Sequence, residues 1–138
     1  MNSTAPNITV SSLDLERIEA LLEQPQYRNG PGIDALRREL SRANVLDPGE
    51  MPGDIVTMNS IAQVTDEADG EIRELTLVYP READSSSNKI SVFAPVGMAM
   101  LGLRVGQVID WKVPGGRELR LRITAITFQP EASGQLHR

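Results

Sequence analysis

No cysteine occurs in the sequence, which excludes disulfides and thiolate metal sites. Histidine is nearly absent as well. His137 stands alone, so neither a histidine-based catalytic triad nor a histidine metal cluster can be assembled within one chain. Aromatic residues make up 4% of the chain, so its core must be aliphatic. Positive charge is in deficit: 14 Lys and Arg stand against 19 Asp and Glu, giving a net charge of −5 and a pI near 4.9. That balance opposes binding of nucleic acid by the chain alone, which needs a basic face. It suits a protein partner or the basic surface of a larger machine. No apolar run approaches the roughly 20 residues of a membrane span, and the sequence does not open with a basic-then-apolar signal segment. The expected location is cytoplasmic, with no membrane association.

What is present is one domain's worth of chain, with 40% hydrophobic residues in 138, or one domain with a small appendage. The first ten residues are polar, with Ile8 and Val10 able to dock an extended segment. Ser11 or Ser12 can cap a helix whose first turn holds Asp14 and Glu16, where the helix dipole favours acids. Leu15, Ile18 and Leu22 form its apolar stripe, widened by Leu21. Gln24-Pro25 ends that helix, Gln26–Gly32 reads as a loop, and Ile33–Leu46 reads as a second helix with Ile33, Leu36, Leu40 and Ala43 on one face. The expectation is a short antiparallel helical hairpin over residues 1–46, each helix roughly 20 Å long at 1.5 Å per residue. Asp47–Asp54, with two prolines and two glycines, reads as a linker. From residue 55 the pattern turns to strands: Ile55–Val64, Glu71–Tyr79 after the turn signal Asp69-Gly70, and Arg117–Phe128. Arg81–Asn88 reads as an exposed loop, and no internal repeat is present.

The stretch Ile90–Gly116, ISVFAPVGMAMLGLRVGQVIDWKVPGG, anchors the strand-rich part. Ile90–Ala94 reads as a strand. Pro95, which lacks an N–H and fixes φ, suits the first turn of a helix spanning Val96–Leu103. Arg104-Val105-Gly106 turns the chain into a strand at Gln107–Val113, and Pro114-Gly115-Gly116 is a tight turn. Trp111 on that strand reads as core. The glycines lack the lysine and the strand–loop–helix order of a phosphate-binding loop. A strand-rich unit with one short inserted helix is α+β.

The run from Ser91 to Gly116 resembles the C-terminal domain of the bacterial Gre transcript-cleavage factors. Asp47–Ser60, Leu77-Val78-Tyr79-Pro80 and Gln129-Pro130-Glu131-Ala132 are closer to one branch of that family, the regulators of nucleoside diphosphate kinase. The resemblance implies an FKBP-like antiparallel sheet wrapped against a helix over residues 55–138, preceded by a coiled-coil stub. It also implies RNA polymerase as the partner. In cleavage-stimulating members a long coiled coil enters the secondary channel, and acids at its tip help hold a metal ion, for which oxygen ligands are the right chemistry. Here the tip, Gln24 to Gly32, contains no acid. Glu23 and Asp34 flank it, and helix-end solvation accounts for both. No metal ligand and no cofactor is expected.

The family's docking loop maps onto Phe93, Ala94 and Pro95, with Phe93 where some members carry an acid, and Met98 beside it as a pliable apolar contact. Gln26, Tyr27, Arg28 and Asn29 are the hairpin-tip candidates, Tyr27 being a loop aromatic suited to contact. Arg37, Arg38 and Arg42 form a basic strip, read either as a solvated face paired with Glu16, Glu19 and Glu39 or as a contact for acidic polymerase surface. Three functions follow. The first is a non-enzymatic polymerase-binding regulator, a monomer or weak homo-oligomer, that blocks or modulates the secondary channel and competes with Gre factors. The second is a Gre-type factor that still stimulates cleavage through Glu23 or Asp34. The third is a prolyl isomerase on an FKBP-like fold, which needs an aromatic-lined pocket that five aromatic residues supply poorly.

Overall fold

The computed structural model describes residues 7–30, 32–112 and 118–135, and the side chains of 109–112, 118 and 119 lie outside that description. Pro31, the Pro114-Gly115-Gly116 turn, His137 and the packing of Trp111 therefore fall outside the described structure.

The chain runs β1 (Thr9–Ser11), α1 (Ser12–Leu22), α2 (Pro25–Arg28), α3 (Ile33–Ser41), β2 (Asn44–Leu46), β3 (Ile61–Asp66), β4 (Ile72–Val78), β5 (Lys89–Ser91), α4 (Pro95–Met100), β6 (Val108–Lys112) and β7 (Glu118–Phe128). The architecture is α+β, as the sequence pattern predicts. Ser11 is the cap of α1, its Oγ accepting from the Asp14 N–H at 3.0 Å. Ile18, Leu22, Ile33, Leu36 and Leu40 are buried, as the helical stripes require.

Several boundaries differ from the sequence reading, each for a local reason. Residues expected as loop after Gln24 contain a helical turn, α2, because Pro25 occupies its first position at no hydrogen-bond cost. The second helix stops at Ser41 rather than Leu46. Residues 44–46 instead pair in parallel with β1, and the Asn44 N–H donates to the Ile8 carbonyl at 2.8 Å. The strand expected from Ile55 begins at Ile61, because Thr57–Ser60 is a buried turn with Asn59 at a φ of 67°. The strand expected to reach Ala94 ends at Ser91, and the helix expected to reach Leu103 ends at Met100.

The five-stranded sheet has the order β5-β4-β3-β7-β6. It is mixed rather than wholly antiparallel, since β4 and β5 run parallel, with Leu77 opposite Ile90. The remaining pairs are antiparallel, and β7 carries two register shifts against β3. Two glycines make the close approaches possible. A Cβ on Gly97 would lie 2.0 Å from the Ser91 carbonyl oxygen, so α4 seats on the end of β5 only with glycine there. Gly102 has a φ of +80°, and a Cβ there would meet the Ile8 Cβ at 2.5 Å.

A single aliphatic cluster joins both halves of the chain. Ile8, Val10, Ile18, Leu22, Leu36 and Leu40 from the N-terminal part pack with Met58, Leu77, Val92, Met98, Met100 and Ile123 from the sheet part. The hairpin therefore lies on the sheet unit and is not separated from it. Met51 is buried too, and the Gln129 side chain donates to the carbonyls of Pro52 and Ile55, both at 2.7 Å. The 47–54 segment is thus tied down at its end.

Candidate functional site

The hairpin tip and the loop leading into α4 meet. The rings of Tyr27 and Phe93 lie with centroids 5.1 Å apart and tilted by 51°, within the range where aromatic pairs attract. Beside them Gly32, at the start of α3, sits against the Met98 sulfur. Two sets of candidates, far apart in sequence, are thereby brought together. Ala94 caps α4 and Pro95, in its first position, is exposed. Gln26, Arg28 and Asn29 are exposed on the tip, while Tyr27 is half-buried. Met98 is buried and faces the hairpin, so its surface is already used within the chain. This replaces the reading of Met98 as a contact offered to a partner.

The arginines of the basic strip have different surroundings. Arg37 donates to the Leu22 carbonyl at 3.2 Å, closing the C-terminal end of α1. Arg42 pairs with Glu39 at 3.3 Å and donates to the Asn7 side chain at 2.6 Å. Arg38 is exposed on the same helix. Glu23 and Asp34 are exposed at helix ends, and among the described residues no group of three or more His, Asp or Glu could hold a metal ion.

The opposite end of α1 carries a polar node that the sequence reading missed. The sequence places Asp14 in the first turn of α1 as an acid favoured by the helix dipole, and the structure buries it. Its Oδ2 accepts from the Met58 N–H at 3.1 Å, and the Tyr79 hydroxyl donates to its Oδ1 at 3.4 Å. Burial pushes the carboxyl up to about 6, helped by the charge of Glu131 and opposed by the hydrogen bonds it accepts. Tyr79 is raised well above the usual phenol range, first by burial and then by the Asp14 charge, with the Arg17 hydrogen bond acting the other way. Thr57 donates to Glu131 at 2.8 Å and shares a 2.8 Å hydroxyl contact with Ser60. The legible signal was indirect. Met58 to Ser60, Tyr79-Pro80 and Gln129–Ala132 all stood out as marks of one branch, and these segments converge on this node.

One depression lies under the start of α4, of about 290 Å³, lined by Val64, Leu75, Ile90, Pro95, Val96 and Leu121 among others. Among the described residues its lining is mainly aliphatic, with Asp66, Glu71 and Arg73 at its polar side.

The family model described as "Transcription elongation factor, GreA/GreB, C-term" matches residues 51–128, and that described as "Rnk N-terminus" matches residues 6–46. The chain belongs to the GreA/GreB family, in its branch of regulators of nucleoside diphosphate kinase. It is 50% identical to the "Regulator of nucleoside diphosphate kinase" of Escherichia coli K12 over 129 residues, 94% of this chain and 95% of that one. It is 40% identical over 110 residues to the transcription elongation factor GreA of Prosthecochloris aestuarii, covering 78% of this chain and 68% of that one. Among solved structures, the prokaryotic transcription elongation factor GreA/GreB from Nitrosomonas europaea matches with a TM-score of 0.72 at 50% identity, covering 90% of this chain and all of the other. Membership makes the chain a transcription-elongation-factor-like regulator. No helix among the described residues is long and apolar enough to cross a membrane.

Proposed function

We propose that this protein is a non-enzymatic regulator that docks on bacterial RNA polymerase at the secondary channel and hinders access to it without delivering a metal ion. The observation that carries the reading is the tip itself. It has no acid, it stands on helices of 11 and 9 residues, and it packs on the α4 loop. A hairpin laid on its own sheet, with nothing to coordinate Mg²⁺, suits occlusion better than delivery. Phe93, Ala94 and Pro95, with Gln26, Tyr27, Arg28 and Asn29 next to them, then form one composite docking surface.

On this reading the sheet and α4 are an FKBP-like unit over residues 55–138, and residues 1–46 are a coiled-coil stub joined by the 47–54 segment. The protein acts in the cytoplasm, and its effect on nucleoside diphosphate kinase is indirect, through transcription. The five aromatic residues of the whole sequence disfavour prolyl isomerisation, which calls for aromatic walls.

The test is binding to purified RNA polymerase, followed by a cleavage assay on stalled elongation complexes with Mg²⁺. Binding without cleavage, together with displacement of a Gre factor on titration, is the expected outcome. Cleavage that disappears in Glu23→Ala or Asp34→Ala would replace this reading with metal delivery.

A further inference from the structure

Beside the tip, two adjoining depressions run along the line between α1 and residues 79–82. Their volumes are about 740 and 340 Å³, and they share Arg17, Tyr79 and Glu82. Arg81 lines the larger and Lys89 the smaller, so three cations face one carboxylate, Glu82, along the combined floor. The lining is thus richer in cations than the chain as a whole, whose net charge is −5. Asp84 accepts hydrogen bonds from Ser86 and Ser87, which keep it ionised, and its charge offsets part of that of Lys89. Arg17 is fixed in the floor by its hydrogen bond with the Tyr79 hydroxyl, whereas Arg81 and Lys89 are exposed. Tyr27 closes the larger depression at the tip end and touches Phe93 with the same ring, so the groove continues the composite docking surface.

We infer that this groove is a second contact surface, fitted to an acidic segment of the protein partner that engages the Phe93–Pro95 loop. The inference rests on the polymerase-binding reading above. Arginine and tyrosine side chains are the residue types that anchor protein interfaces, and Arg17 and Tyr79 are already held in place before binding. An acidic protein segment is favoured over nucleic acid. A polyphosphate would meet the negative field of the rest of the chain over its whole length, whereas a short acidic segment meets only the groove.

The experiment is a binding titration of the full-length chain and of an Arg81→Glu/Lys89→Glu variant against purified bacterial RNA polymerase, at about 0.05 and about 0.3 M salt. A fluorescent single-stranded RNA oligonucleotide serves as a second probe. Both substituted residues are exposed, and circular dichroism and the Tm report whether the fold is kept. The expected result is salt-sensitive binding by the wild-type chain and a loss of roughly tenfold in affinity for the variant at low salt, with its salt dependence flattened. Equal binding by the two chains overturns the groove while the polymerase reading stands. A wild-type chain that does not bind polymerase overturns both. RNA binding by the wild-type chain that the variant loses would give the groove to nucleic acid and overturn the inference.

Discussion

The two ends of the hairpin are held to the sheet by different physics. At the base, Asp14 is buried and makes directional hydrogen bonds to Met58 and Tyr79. At the tip, a half-buried ring rests on another, and Gly32 rests on Met98. Breaking the base strands a buried backbone donor, whereas breaking the tip exposes buried apolar side chains such as Leu22, Ile33 and Met98 and forfeits a modest aromatic term. The comparison teaches how each end is held. The base is a polar joint and the tip an apolar clasp.

The largest expected effect comes from removing the seat on which the clasp rests. Gly97→Ala drives a methyl group into the Ser91 backbone, which cannot move aside as a side chain could, and is expected to cost about 3 kcal/mol in chemical denaturation. Next is the base. Asp14→Ala leaves the buried Met58 N–H without its acceptor and is expected to cost about 2 kcal/mol. Asp14→Asn keeps an acceptor and drops the charge, so at pH 7 it is expected to be far milder than Asp14→Ala. Similar losses for the two variants would show that the charge, not the hydrogen bond, holds the base.

The base also carries a pH signature that the tip lacks. Its folded-state carboxyl titrates near 6 against an ordinary value of 3.8, so between these values the folded chain binds more protons than the unfolded one. The contribution of Asp14 to stability is therefore fully present below the ordinary value and is lost as pH rises through about 6. Relative to Asp14→Asn, the wild-type chain is expected to gain up to about 1.4 kcal/mol per pH unit as pH falls from 6 towards 4. Urea titrations of both chains at several pH values read the difference, and parallel curves would refute it. The smallest effect belongs to the clasp. Tyr27→Ala is expected to cost about 1 kcal/mol or less, with a coupling of the same size to Phe93→Ala in a double-mutant cycle.

Much of this contrast was only partly legible beforehand. The apolar stripes of α1 and α3 and the cap at Ser11 follow from local periodicity and local hydrogen bonding, and sequence reports those well. The pairing of residues 44–46 with β1 does not, because helix and strand propensities there are overridden by a partner 35 residues away. Asp14 looked like any acid in a first turn, since nothing local distinguishes a solvated carboxylate from one buried by a segment 44 residues on. The acid-free tip was readable directly, and so was the chain's strand-rich second part. That the tip would fold back onto Phe93 depended on how the hairpin lies, which no motif encodes.

The central claim is that the hairpin stays laid on the sheet when the protein works. The absence of cysteine allows two spin labels to be placed cleanly, at Asp34→Cys beside the tip and Thr124→Cys on β7, both exposed. Pulsed electron paramagnetic resonance then measures their separation in the free chain and in the complex with RNA polymerase. The account predicts one narrow distance that binding leaves unchanged. A longer distance that appears only in the complex would contradict it, because the hairpin would then swing out to act as a projecting arm.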